Sequence, residues 1–217
     1  MRRHWKDDAL CNAKPTKVTD LERALADIAE VRERLGGAQR FRGYSALAAA
    51  ASGVFALAAG VVQWALVPHP HGAHDGRVYF AIWFVCCAAS VAVNYGAIAH
   101  WFVNDASARD RWQTATVGFS ILPALVFGGI LSAALLSRGD VGYLPGVWCA
   151  SYGVGLLASR TTLPRGAVAW AALFMVVGFA LLVSQPAIAL SWWVLPLAFG
   201  TGQIAIAACV MREERPA

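Results

Sequence analysis

Six long apolar runs without a single Asp, Glu, Lys or Arg constrain this chain more than any other feature of its sequence. They lie at residues 44–67, 78–102, 115–136, 143–158, 167–183 and 192–211. Charged residues make up 14% of the whole sequence, against about 25% in typical soluble domains. A spanning helix needs about 20 apolar residues, and lipid leaves each backbone polar group to be satisfied within its own segment. We therefore predict an all-α polytopic membrane protein, a bundle of six transmembrane helices over residues 44–211.

The positions of the positive charges predict how these spans are oriented. If the N-terminus is inside, the inner segments carry all but two of the 18 Lys and Arg, and the outer loops carry only Arg77 and Arg138. Because Lys and Arg are enriched in cytoplasmic loops, we expect both termini to be cytoplasmic, including the tail at residues 212–217. The first apolar run has 24 residues and follows a charged segment. The apolar part of a signal peptide has about 7–15 residues, so we expect an uncleaved anchor.

The charged segment before the first run contains one predicted helix. Residues 1–18 show no periodicity, and we predict that they are disordered. Thr19 and Glu22 have the spacing of a helix capping box, apolar residues then recur at helical spacing, and Gly36 follows the last of them. This pattern predicts a cytoplasmic amphipathic helix over residues 19–37. Its apolar face could engage a cytoplasmic protein partner, pair with a second copy of the chain, lie against the membrane surface, or cover the cytoplasmic ends of the spans.

Several kinds of chemistry have no residues to carry them. Charged groups within spans usually mark ion pathways and proton relays, and the spans as predicted contain none. The only histidine in a span is His100, and no serine motif or Gly-rich phosphate loop accompanies it. Residues 1–42 carry ten basic and seven acidic side chains, a mixed pattern that does not predict nucleic-acid binding. We therefore expect no enzyme activity and no cofactor, with the lipid bilayer as the principal partner.

The first predicted outer loop is the one place where metal ligands cluster. Three histidines and a carboxylate fall within seven residues: His69, His71, His74 and Asp75. Imidazole and carboxylate groups are ligands for Zn²⁺, Cu²⁺ and Ni²⁺, so the three histidines form a candidate metal site. A single short loop seldom builds a specific site without supporting outer-shell groups, and a solvated turn is the alternative.

Three side-chain amides lie inside the apolar runs: Gln63, Asn94 and Gln203. A buried amide must find a hydrogen-bond partner. Asn94 and Gln203 each lie eight residues from the inner end of their run, which corresponds to a depth of about 12 Å. We therefore predict that these two amides pair directly, or that each bonds a backbone carbonyl exposed near a glycine such as Gly200.

Small residues spaced four apart form a stripe on each of two predicted spans. The members are Ser52, Ala56 and Gly60 on the first span, and Ser151 and Gly155 on the fourth. Such stripes let helices approach closely in lipid. We predict that they pack within the chain, and homodimerisation through them is the alternative.

Short motifs are spread over residues 19–211. They are Asp20-Leu21-Glu22-Arg23-Ala24-Leu25-Ala26-Asp27-Ile28, Phe41-Arg42-Gly43-Tyr44, Leu144-Pro145-Gly146-Val147-Trp148, Leu163-Pro164-Arg165 and Phe199-Gly200-Thr201-Gly202-Gln203. With these motifs the chain resembles a family of small uncharacterised bacterial six-span inner-membrane proteins. The resemblance implies a location in the bacterial inner membrane and no particular activity. It leaves residues 1–18 outside, which implies a true start nearer Val18.

Two functions are compatible with this pattern. The first is a non-enzymatic inner-membrane protein that senses or scaffolds, engaging a cytoplasmic partner through residues 19–37. The second is a small transporter or exporter of uncharged or lipophilic compounds. Leucine–proline pairs followed by glycines motivate the second function, because broken helices line the sites of many transporters. These pairs are Leu122-Pro123, Leu144-Pro145 and Leu195-Pro196.

Overall fold

A computed structural model describes residues 45–104, 108–160 and 165–214, together with Arg23 and residues 25–28. The chain divides into two compact units, Met1–Gln39 and Arg40–Ala217. In the first unit the five described residues are helical. The whole of the predicted disordered segment, residues 1–18, and the rest of the predicted amphipathic helix lie outside the described residues, so both stay predictions.

The described part of the second unit is helical throughout its length apart from short turns, and it contains no strand. Its helices are α1 (Ala46–Leu66), α2 (Gly72–Asn104), α3 (Ala108–Arg138), α4 (Leu144–Ala158), α5 (Arg165–Val183), the short α6 (Pro186–Ala189) and α7 (Thr201–Glu214). A 3₁₀ turn, Val141–Tyr143, leads into α4, and a π-helical segment, Pro196–Gly200, leads into α7. Five helical stretches are long enough and apolar enough to cross a membrane. Four lie in α1, α2, α3 and α5, and the other combines the 3₁₀ turn with α4. The predicted all-α fold is therefore confirmed for the described residues, and five of their helical stretches are suited by length and composition to crossing a membrane.

The last apolar run differs from the predicted sixth span. It is helical, but the π-helical segment interrupts it, and the α-helix that follows has only 14 residues. Proline has no N–H group and cannot donate the backbone bond of a regular helix, so Pro196 begins the irregular segment. At its other end the Thr201 hydroxyl donates to the Leu197 carbonyl. Among the described residues, five helical stretches rather than six meet the criteria of a membrane span.

The second helix is longer than its predicted span. It has 33 residues, which at about 1.5 Å per residue gives a length of about 50 Å. It begins at Gly72, whose φ of +78° lies in the region that favours glycine. The Asp75 carboxylate accepts a hydrogen bond of 3.0 Å from the backbone N–H of His71. Part of the predicted outer loop is therefore the capped first turn of α2.

The small residues of α1 bring it close to the π-helical segment. A side chain at Gly53 would place its Cβ 2.9 Å from the Gly200 carbonyl oxygen. A side chain at Gly60 would overlap the ring of Pro196. Because α1 has no side chain at either point, its backbone can pack directly against the last part of the chain.

The small residues of α4 allow a second close contact between helices, in which α4 packs against α3. The hydroxyl oxygen of Ser151 lies 3.0 Å from the point where a Cβ at Gly128 would stand, and a Cβ at Gly155 would lie 3.3 Å from Ile121. Ser52, Ala56 and Gly60 on α1 are likewise buried within the chain. Both stripes are therefore used in packing between helices of one chain.

Candidate functional site: polar pairs and an apolar groove

Gln63 forms the most deeply buried polar contact among the described residues. Its side chain is 1% exposed. The amide nitrogen donates to the Leu190 carbonyl at 2.8 Å, and the amide oxygen accepts from the Trp83 indole N–H at 2.9 Å. These bonds join α1 to α2 and to the turn after α6. Both ends of the amide are satisfied inside the protein, which gives Gln63 a structural role.

Asn94 links α2 to α1 in the same manner. Its side-chain nitrogen donates to the Ser52 hydroxyl oxygen at 2.7 Å and to the Ser90 carbonyl at 2.8 Å. The Ser52 hydroxyl in turn donates to the Ala48 carbonyl at 3.0 Å. The short chain of bonds therefore ends on the α1 backbone.

Gln203 lies beside a cluster of aromatic rings. Its side-chain nitrogen donates to the Tyr152 hydroxyl oxygen at 2.6 Å. The Tyr152 ring meets Phe174 edge-on with 5.1 Å between centroids, and Phe199 lies 5.5 Å from Tyr152 and 5.1 Å from Phe174. The contact joins α7 to α4, with α5 and the π-helical segment around it. Tyr152 was not among the predicted polar site residues, although a tyrosine within an apolar run needs a partner for its hydroxyl.

The predicted direct pair of Asn94 and Gln203 is wrong. Asn94 bonds to α1, and Gln203 bonds to α4. The predicted bond to a carbonyl near a glycine is not formed either, since the carbonyl that Asn94 reaches is that of Ser90 in its own helix. The physical reason is that α1 packs against both α2 and the last helical segment, so it supplies the partner for Asn94.

A second polar and aromatic group lies between α2, α3 and α4. The Trp148 indole N–H donates to the Ser132 hydroxyl oxygen at 2.8 Å, and that hydroxyl donates to the Gly128 carbonyl at 2.6 Å. The Trp148 ring stacks on Tyr79, with 6.1 Å between centroids and 2° between planes. Tyr79 is 1% exposed, and its hydroxyl has no hydrogen-bond partner among the described residues.

An apolar groove of about 280 Å³ lies between α5 and the segment from α6 to the start of α7. Its lining is formed by Trp170, Leu173, Phe174, Val177, Leu181, Ile188, Trp193, Val194, Leu197, Ala198 and Thr201. None of these residues is charged, and the one hydroxyl, that of Thr201, bonds to the Leu197 carbonyl. The groove is a shallow apolar surface, open on one side, that the described residues present to a ligand.

The three histidines of the candidate metal site do not come together. His69, His71 and His74 are exposed, and His74 has entered the first turn of α2. Asp75, the fourth potential ligand, caps the backbone at His71 instead. Within the described part of the chain, no group of three His, Cys, Asp or Glu side chains has an arrangement that could hold a metal ion.

Comparisons with models of protein families, with curated proteins and with solved structures found no match. The class of the protein therefore rests on the fold itself, which in the described part of the chain is helical and includes five stretches suited to crossing a membrane. The resemblance to small bacterial six-span proteins stays a prediction.

Proposed function

We propose that this chain is a non-enzymatic integral protein of the bacterial inner membrane that acts as a sensor or scaffold. Its helical domain would hold the segment at residues 19–37 at the cytoplasmic surface, where that segment engages a protein partner. One observation carries the proposal: the amides of Gln63, Asn94 and Gln203 all bond to other groups of the chain. Polar side chains used in this way connect helices and do not line a shared polar cavity.

A pull-down tests the proposal. The full-length protein and a variant lacking residues 1–43 are solubilised from the same membranes, and their co-purifying proteins are compared by mass spectrometry. We expect a specific partner to be lost with the deletion. A second variant, in which Leu21, Leu25 and Ile28 are replaced by Ser, serves as a narrower probe of the apolar face. Identical partners for all three proteins would contradict the scaffold proposal.

A transporter of uncharged or lipophilic compounds is the second candidate. The observation that favours it is the irregular helix in the last apolar run, since π-helical segments and prolines in spans recur at functional sites. The test is the accumulation of a lipophilic dye in cells that express the protein, compared with cells that express Gln203→Leu. Equal dye accumulation in both, and in cells without the protein, would remove this candidate.

A further inference from the structure

The apolar groove has the length of one membrane leaflet. Along α5 its lining extends from Trp170 to Leu181, a distance of about 16 Å at 1.5 Å per residue. The opposite wall extends from Trp193 to Thr201, which is about 12 Å by the same measure. Half of a bilayer hydrocarbon core is about 15 Å. The groove is therefore long enough for an extended hydrocarbon chain that ends near the middle of the bilayer.

Glycine contacts to two other helices position the walls of the groove. On one side Gly53 and Gly60 of α1 pack against the last helical segment so closely that neither glycine has room for a Cβ. On the other side Gly146 and Gly153 of α4 receive α5, since a Cβ at Gly146 would lie 2.9 Å from the Gly178 carbonyl and one at Gly153 would lie 2.8 Å from the Met175 backbone nitrogen. The walls also contact each other directly, since the ring centroids of Phe174 and Phe199 lie 5.1 Å apart, and the groove lies beside this contact.

An open apolar groove is stabilised by whatever fills it. Protein interiors and their surfaces lose contact energy wherever a lining atom has no neighbour. The α5 stretch beside the groove, Gly166–Val183, is among the helices suited to crossing a membrane, so the medium available to fill the groove is lipid hydrocarbon. The absence of charge in the lining excludes a phosphate or another ionic group as the part that enters.

Trp193 gives the groove one polar end. It belongs to the lining and lies in the turn before the last helical segment. Tryptophan combines a large apolar ring with one donor and favours positions where hydrocarbon meets polar groups. An indole at the mouth of the groove can donate to the ester carbonyl of a lipid whose chain lies inside.

We propose that this groove is a binding site for one acyl chain of a bilayer phospholipid. The chain lies against Leu173 and Val177 of α5 on one side and against Leu197 and Ala198 on the other. The site gives the helical domain an ordered lipid in a fixed position, in contrast to the mobile lipid around its outer faces. This inference goes beyond the scaffold function and does not depend on it.

Photo-crosslinking in vesicles tests the site. The full chain is reconstituted in phosphatidylethanolamine and phosphatidylglycerol, with a small fraction of the phosphatidylethanolamine carrying a diazirine in its acyl chain. After irradiation the labelled residues are mapped by mass spectrometry. We expect Leu173, which is 46% exposed, and the half-buried Val177 to be labelled several-fold more than Val176 and Phe179, which lie on the same helix and are 65% and 67% exposed.

Two variants complete the test. Ala198→Trp fills the groove and should reduce labelling of Leu173 and Val177 to the level of the exposed face. Ala172→Trp adds the same side chain on the exposed face of α5 and should leave the pattern unchanged. Labelling of the unaltered protein in simple proportion to exposure, with Val176 above Val177, would overturn the proposal without recourse to either variant.

Discussion

At the scale of single residues, buried polar groups need partners, and most of the described ones have them. Gln63 satisfies the Trp83 indole and the Leu190 carbonyl at once, so one side chain removes two unpaired groups from an apolar interior. Hydrogen bonds between membrane helices contribute about 0.6 kcal/mol on average, because the unfolded chain in the membrane also finds partners. A residue that makes two such bonds while 1% exposed should contribute more.

Replacement of Gln63 by Leu should therefore destabilise the protein by about 1–3 kcal/mol, because it leaves a buried N–H and a buried carbonyl without partners. The measurement is reversible unfolding in mixed micelles, followed by circular dichroism. Gln185→Leu is the matched control, since Gln185 is exposed and its replacement should change the free energy of unfolding little. Equal effects of the two substitutions would contradict the assigned role of Gln63.

Removal of the Tyr79 hydroxyl should have the opposite effect on stability. Its hydroxyl is buried without a partner among the described residues, so the folded state has lost the solvation of that group without compensation. Tyr79→Phe keeps the ring that stacks on Trp148 and removes the hydroxyl. We expect unchanged or higher stability, measured by the same unfolding experiment, whereas Tyr152→Phe should lower stability because Gln203 loses its acceptor. A clear loss of stability in Tyr79→Phe would indicate that the hydroxyl has a partner after all.

At the scale of elements, the last apolar run shows how a local irregularity and a tertiary contact support each other. Pro196 cannot take part in regular helical bonding, and its ring fits against Gly60 of α1. The π-helical turn then directs Phe199 toward the rings of Tyr152 and Phe174. Leu197 and Ala198 are left to line the groove. The irregular turn thus distributes neighbouring side chains between the aromatic cluster and the groove.

Substitution of Gly60 tests this packing. Gly60→Ala adds a methyl group that would overlap Pro196 and lie 3.3 Å from the Trp192 carbonyl oxygen. Overpacking of this kind costs about 1–3 kcal/mol, and the free energy of unfolding should fall accordingly. Gly129→Ala is the control, because a Cβ at Gly129 would have no other atom within 4 Å. Since alanine is the better helix former, the Gly129→Ala control should be neutral or stabilising. A neutral result for Gly60→Ala would contradict the described contact between α1 and the π-helical segment.

At the scale of the whole molecule, the number of crossings decides on which side of the membrane the chain ends. Five described helices qualify as spans by length and composition, and the last apolar run is helical but interrupted. An odd number of crossings would put the termini on opposite sides, and an even number would put them on the same side. The charge pattern favours the same side, since Arg212 and Arg215 follow the last run.

Reporter fusions distinguish these arrangements. A green fluorescent protein fused after Ala217 folds only in the cytoplasm, and alkaline phosphatase at the same position is active only outside it. With six crossings we expect fluorescence and no phosphatase activity, and the same result for N-terminal fluorescent fusions. Fusions after Arg138, in a predicted outer loop, supply the control of opposite sign. Phosphatase activity at the C-terminus would show five crossings and contradict the proposed topology.

The sequence alone determined where the helices of this protein lie, because hydropathy and charge act locally along the chain. The run predicted at residues 44–67 became α1, Ala46–Leu66, and the run predicted at residues 167–183 lies within α5, Arg165–Val183. The close-packing role of the small stripes was also predictable, since small side chains let two helix backbones approach closely in lipid. The interruption at Pro196 was less predictable, because proline in the first turn of a helix ordinarily costs no hydrogen bond.

The tertiary structure alone decided which side chains contact each other. Equal depth in the membrane suggested that Asn94 and Gln203 would pair, but α1 packs against both of their helices, and Ser52 and Tyr152 became the partners. The same holds for the apolar groove, whose walls come from α5 and from the segment after it and are set by glycine contacts to α4 and α1. Depth and periodicity are properties of one helix, whereas a hydrogen-bond partner or a groove is a property of two, and the choice of neighbour depends on how the side chains of all the helices pack.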